Sequence, residues 1–164
     1  MVNATLCFLM RDAPEKTILL GMKKDGFGKG KWNGLGGKIE NNETPKAAAI
    51  REVYEEGGVK IPESAIEKFA ELTFLSVKGT DEKKLDMFVH VFVAREWNGE
   101  PKETEEMLPK WFFAREIPFE SMWIDDIHWL PLVIEGKKFK AEFTFGEDNE
   151  TLLSKKIELA EEFI

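Results

Sequence analysis

The chain has 164 residues, is 43% hydrophobic and 12% aromatic, and carries 23 basic against 31 acidic side chains, a formal charge of −8. That length suits one domain with its own core, expected over residues 1–164, and no run reaches the roughly 18 apolar residues of a membrane span. The single cysteine, Cys7, excludes an internal disulfide and a multi-cysteine zinc site, and the negative balance disfavours nucleic-acid polymers while leaving small phosphate ligands open.

Met1 to Leu9 lacks the basic start and small-residue cleavage site of a secretory signal, so a reducing, cytoplasmic setting is expected. Val2 to Met10 and Thr17 to Lys24 read as strands, with Asp12, Ala13 and Pro14 turning between them. Cys7 reads as a small buried strand residue. Asp25 to Gly37 is a glycine-dense loop leading into a short strand. It lacks the Gly-Lys-Ser/Thr ending of a phosphate loop. Thr44 and Pro45 suit the N-cap and first position of a helix over Lys46 to Glu56, which Gly57-Gly58 stops. Leu72 to Val77 and Leu85 to Ala94 read as strands joined by a charged turn, Lys78 to Lys84. Lys110 to Ala114 reads as another strand. Asp125 to Glu135 is expected to be a second helix, broken or kinked near Pro131. Phe139, Phe143 and Phe145 mark a late strand. The tail from Thr151 to Ile164 fits either strand or helix. The expected class is α+β, a mixed sheet with two helices.

The chemistry concentrates between Gly37 and Val59. After Gly37 come five residues, Glu43, seven more, then Arg51-Glu52-Val53-Tyr54-Glu55-Glu56-Gly57-Gly58-Val59. Glu52, Glu55 and Glu56 fall at i, i+3 and i+4, so a helix puts three carboxylates on one face, expected within a few ångströms of one another. Such crowding is unfavourable unless a cation sits among them. Hard oxygen donors select magnesium, with manganese as a substitute. A metal there neutralises a diphosphate and activates water. Glu56, then Glu52, are the candidates to take the water's proton. Arg51 stands four residues before Glu55, placed to steer it or lend charge. Gly37 lets its carbonyl approach the metal. Glu43 sits beside the positive end of the helix. The bland alternative is a solvated acidic helix face. Chance placement of all seven fixed residues is on the order of one in a hundred million per start.

This pattern matches the Nudix box at every fixed position. Gly21 to Lys38, Trp123 to Pro131 and Lys137 to Phe139 also resemble the animal MutT-homologue branch of that family, with likeness running from about Thr5 to Phe145. The resemblance implies a mixed sheet sandwiched between helices. It also implies hydrolysis of oxidised purine nucleoside triphosphates (8-oxo-dGTP and 2-hydroxy-dATP class) to monophosphate and diphosphate, which sanitises the nucleotide pool. Glu106 matches a further acid near the metal, although it also fits an exposed acidic run. Asn33 matches an amide on the purine edge, where Asn offers donor and acceptor together. Trp123 matches an aromatic stacked on the base. Phe27 and Met107 match pocket walls, with Phe74 and Met87 beside them, and each of these also suits plain packing. Thr5 aligns with a pocket hydroxyl. Lys23 resembles a basic residue near the phosphates and equally suits the surface.

Asp125-Asp126 matches a paired acid in the base pocket. Two carboxylates converging on one apolar pocket cannot both ionise cheaply, so one stays protonated and donates. The alternative is an N-cap followed by a first-turn acid. Four departures stand out: a longer turn over Asp12 to Lys16, Ala4 in place of an aromatic, Ser76 in place of a phenylalanine, and an extended acidic tail after Phe145. The expected partner is a small nucleoside triphosphate, and the chain is expected to be a monomer. A Nudix hydrolase of another diphosphate derivative or an alkylated purine triphosphate is the rival enzyme. A non-catalytic nucleotide-binding module is the rival from another class.

Overall fold

The computed structural model describes residues 1–77 and 86–163. Its strands are β1 (Val2–Arg11), β2 (Thr17–Lys23), β3 (Trp32–Asn33), β4 (Ile66–Ser76), β5 (Met87–Ala94), β6 (Met107–Phe113), β7 (Phe139–Phe145) and β8 (Leu152–Leu159). Helix α1 covers Pro45–Gly57 and α2 covers Asp126–Ile134. The strands form one mixed sheet in the order β3-β2-β1-β5-β4-β7-β8, with β6 on β2. Pairings β1–β5 and β4–β7 are parallel, and the rest are antiparallel.

The near-continuous apolar run of β1 follows from burial on both faces. Ala4, Phe8 and Met10 join a core with Val89, Val91, Trp129, Leu130 and Phe139, on the side of α2. Cys7 and Leu9 join a second core with Leu35, Ala49, Val53 and Phe92, on the side of α1. The two helices therefore cover opposite faces. Cys7 is fully buried, and burial pushes its thiol up to about 12, which makes it inert at neutral pH.

Helix α1 starts and stops where the expected caps lie. Thr44 Oγ1 accepts the Ala47 N–H at 3.1 Å. Gly58 takes the left-handed conformation at φ 73° and donates to Tyr54 O at 2.9 Å.

Several boundaries differ from expectation. β4 begins at Ile66, six residues early, because Glu67, Lys68 and Glu71 belong to its polar positions rather than to a loop. β6 begins at Met107 despite Pro109. Pro109 is tolerated because β6 is an edge strand with β2 as its one described partner. Pro131 lies inside α2 without ending it, since Trp129, Leu130 and Val133 are buried on both sides of it. The undecided tail forms β8, paired with β7. Lys78 to Leu85 lies outside the described residues. Among the described residues, no helix is long and apolar enough to cross a membrane.

One feature of the sheet sets the site. Segment 35–38 lies against the other edge of β1, where Leu35 bridges Cys7 and Lys38 bridges Ala4. Thr5 N–H donates to Gly37 O at 2.9 Å. This pins the backbone of Gly36 and Gly37 beneath α1.

Candidate active site

Arg51 ties the acidic helix to the loop before it. Its Nε and Nη2 donate to the two carboxylate oxygens of Glu43 at 2.7 and 2.9 Å. Its Nη1 donates to Glu52 at 2.8 Å and to Glu55 at 3.2 Å, and Nη2 also reaches Lys38 O at 3.1 Å. The fork geometry of a guanidinium suits this multiple grip. Glu43 is thus chiefly an Arg51 partner rather than a helix-end charge, and that hydrogen bond holds its carboxyl below the usual range.

The three box carboxylates divide by environment. Glu55 is half exposed on the arginine. Glu52 is half-buried against Gly37, where a Cβ would lie 2.5 Å from Glu52 Oε1. Burial raises the Glu52 pKa, against the opposing pull of Arg51. Glu56 is buried and accepts the Gly36 N–H at 2.7 Å. Burial pushes Glu56 up to about 8, helped by the charges of Glu52 and Glu106 and opposed by the Gly36 N–H and Lys23. The expected tight cluster is not drawn together. Among the described residues no three acidic, histidine or cysteine side chains converge at metal-binding distance, because Arg51 holds Glu52 and Glu55.

Glu106 comes near through a pinned turn. Thr104 Oγ1 donates to Glu56 O at 3.1 Å and accepts the Glu106 and Met107 N–H groups. The donors around Gly37, Glu52 and Glu56 are all hard oxygens, and buried Glu56 lacks a cationic partner within ion-pair distance among the described residues. They fit a hard divalent cation.

The neighbouring glycines separate structure from chemistry. At Gly36 a Cβ would lie 1.8 Å from Thr5 O, which is backbone and cannot yield. Gly36→Ala is expected to cost at least about 3 kcal/mol in denaturant unfolding. At Gly37 the obstacle is the end of the Glu52 side chain. Gly37→Ala is expected to keep most of the stability while lowering activity about tenfold or more, by displacing Glu52.

A cavity of about 280 Å³ opens beside this helix. Its lining includes Glu56, Gly36, Gly37, Lys23 and Thr5. It continues over Asn33, Phe27, Met107, Trp123, Asp125 and Asp126, and over Phe74 and Met87. Phe74 and Met87 are register partners on β4 and β5. Gly21 leaves room for Met107, since a Cβ there would lie 2.5 Å from its sulfur. Asn33 Oδ1 accepts the Gly34 N–H at 2.8 Å, which fixes the rotation of the amide. Phe27 is largely exposed and stacks on Trp123, with ring centroids 4.9 Å apart at 28°. Lys31, Trp129 and Asn149 also bring polar groups to the lining, and no motif in the sequence marks them. Lys31 Nζ lies 5.0 Å from the Trp123 ring centroid. Asn149 Oδ1 accepts from Ser76 Oγ at 3.2 Å.

Asp125 and Asp126 are 3% and 2% exposed, which settles what Asp125 is not. It occupies the N-cap position of α2, yet its side chain makes no capping bond. It turns inward, and Oδ2 accepts the indole N–H of Trp129 at 2.7 Å. Asp126 Oδ2 accepts the Trp123 N–H at 3.0 Å. Burial raises both carboxyls, and Asp126 is raised further by the charge of Asp125 while Lys31 opposes that rise. The pair therefore holds a proton well above the usual carboxylate range.

Residues 2–133 match the model of the NUDIX domain. The chain is 42% identical over 149 residues to an oxidized purine nucleoside triphosphate hydrolase of Danio rerio, covering 90% of this chain and 92% of that protein. It is also 42% identical over 154 residues to the Mus musculus protein of the same name, covering 94% of each. A MutT protein structure from Bacillus halodurans superposes with a TM-score of 0.77 at 21% identity, covering 96% of this chain and 97% of that one. Hydrolases of this type generally depend on divalent metal ions, and the oxygen donors described above suit one. The chain belongs to the Nudix hydrolase family.

Proposed function

We propose that this protein hydrolyses oxidised purine nucleoside triphosphates, of the 8-oxo-dGTP and 2-hydroxy-dATP class, to nucleoside monophosphate and diphosphate. The observation that carries this reading is one continuous cavity lined both by Glu56 and Gly37 and by Asn33, Asp125 and Asp126. The residues that would cut and the residues that would choose the base share one space. The hydrolases of zebrafish and mouse bear the same activity in their names.

Magnesium, or manganese in its place, supplies charge neutralisation and a more acidic water when bound. Gly37 O, Glu52, Glu55, Glu56 and Glu106 would hold it. Arg51 positions Glu52 and Glu55 and must release part of its grip for them to do so. Glu56 lines the cavity and is held in place by the Gly36 N–H, which makes it the first candidate to receive the proton of the attacking water. Glu52 is the second candidate. Lys23 lines the same cavity as Glu56 and would meet the phosphates. Asn33 and the Asp125–Asp126 pair select the base edge, and one shared proton lets the pair meet edges with different donor patterns. Trp123 offers its ring to the base, beside Phe27, Met107, Phe74 and Met87, with Thr5 at the cavity wall. In this reading residues 1–164 act as one domain and as a monomer, in the cytoplasm, without nucleic acid or membrane.

Product analysis with and without a chelator tests the reaction. One diphosphate per monophosphate, lost on chelation and restored by magnesium, is the expected result. Release of single phosphates would contradict it. A second reading adds alkylated purine triphosphates as substrates, favoured by the small Ala4 and Ser76 on the cavity lining.

A further inference from the structure

Trp129 brings to the cavity a buried donor of fixed direction. Trp129 is 1% exposed, lines the cavity, and sits one helical turn after Asp125 on α2. Its ring packs on Phe8 of β1, with centroids 6.0 Å apart, so its orientation is set by the core. Its indole N–H points at Asp125 Oδ2 at 2.7 Å, and an indole nitrogen only donates. A buried donor of fixed direction favours an acceptor that carries charge. Asp126 Oδ2 accepts a backbone N–H at 3.0 Å, and its carboxyl also shares a hydrogen bond with that of Asp125, with no indole donor of its own.

We infer that Trp129 is a positioning residue for base selection: by donating to Asp125 it favours the anion there and biases the shared proton of the pair toward Asp126 until a base edge redistributes it. The other charged groups facing the pair are Lys31, against Asp126, and His128, near Asp125, with Lys155 Nζ 3.0 Å from His128 Nδ1. None of these donates to Asp125 at the geometry of the indole. Trp129 therefore acts through Asp125, setting which purine edges find a donor at Asp126 and which find an acceptor beside it. This inference rests on the base-selecting role proposed for the pair.

The test is Trp129→Phe, which keeps an aromatic ring and removes the N–H. Catalytic efficiencies for oxidised guanine and oxidised adenine triphosphates are compared over roughly pH 5 to 9. The expected result is a change in the ratio of the two by about tenfold, the scale of one buried hydrogen bond to a charged group. The pH midpoint of that ratio is expected to move upward, because the anion has lost a donor. Phe8→Leu serves as the packing control, expected to lower the melting temperature and leave the midpoint in place. A Trp129→Phe variant that slows both substrates equally, with midpoint unmoved, would overturn the inference and leave Trp129 a core residue.

A measurement on the unaltered protein covers the case where the variant does not fold. The indole N–H resonance of Trp129 is expected to titrate with the acid pair in proton–nitrogen correlation spectra. A resonance that does not respond as the pair titrates would also overturn the inference. If the protein cuts neither oxidised substrate, the proposed function fails by itself, while the titration still decides the Trp129–Asp125 link.

Discussion

Replacing Glu56 with Gln is expected to lower turnover at least about a thousandfold while the fold and measurable nucleotide binding survive. Glutamine keeps an oxygen for the Gly36 N–H that Glu56 accepts at 2.7 Å, so the local backbone has no reason to move. What it loses is a carboxylate able to hold a metal and to take a proton. Full activity in this variant would contradict the metal-site assignment.

The same substitution has a stability signature. The folded pKa of Glu56, about 8, lies above its ordinary value of 4.5. The folded state therefore holds this proton more tightly than the unfolded chain. The associated stability is fully present below about pH 4.5 and is lost as pH rises through about 8. In chelator, the melting temperature is expected to fall across that window, and Glu56→Gln is expected to flatten the fall. Added magnesium should raise the melting temperature more at the alkaline end, where it no longer competes with the proton. Thermal scans at several pH values, with and without magnesium, check both statements.

The second large effect belongs to the acid pair. Asp125→Asn is expected to change the preference between oxidised guanine and oxidised adenine triphosphates by about ten- to a hundredfold, with the chemical step on the better substrate far less affected. Asp126→Asn should do less, since its amide imitates the donor that a protonated Asp126 supplies. It should also remove pH dependence from the preference. Both carboxyls are raised by burial, so their contribution to stability is lost as pH rises. Asp126→Asn is accordingly expected to raise the melting temperature at alkaline pH. Unaltered relative rates across oxidised and normal nucleotides would count against this pocket.

Much of this site was legible because short local patterns encode it. The caps at Thr44 and Gly58 and the i, i+3, i+4 spacing of the acids specify the helix and the face that carries them. Asn33, Trp123, Asp125 and Asp126 were legible through resemblance, and all line the cavity. What remained hidden depends on contacts distant in sequence. Trp129 lies in the expected second helix with no role of its own, and only the inward turn of Asp125 gives its N–H a partner. The i, i+4 spacing of Asp125 and Trp129 was the available signal. No local pattern distinguishes Lys31, and Ser76 and Asn149 meet from 73 positions apart. The grip of Arg51 on Glu43 was likewise tertiary, since Glu43 lies outside the helix that carries Arg51.

Strand errors had the same origin. Ile66 to Glu71 carries charges that suit a half-covered strand, but its pairing with β5 decides the matter. β8 alternates too weakly to identify alone and exists by its ladder to β7. Pro131 was expected to break or kink its helix and is accommodated by burial of the flanking residues, while Pro109 is accommodated at a sheet edge.

The most direct measurement is catalytic efficiency, with magnesium, across 8-oxo-dGTP, 2-hydroxy-dATP, alkylated purine triphosphates, normal nucleoside triphosphates, ADP-ribose and dinucleoside polyphosphates. One cavity that joins the acidic helix to a proton-sharing purine pocket predicts that the oxidised purines exceed their normal counterparts by about tenfold or more. They should exceed ADP-ribose and dinucleotides by a wider margin. Equal efficiency on normal and oxidised purines, or a preference for ADP-ribose, would contradict it.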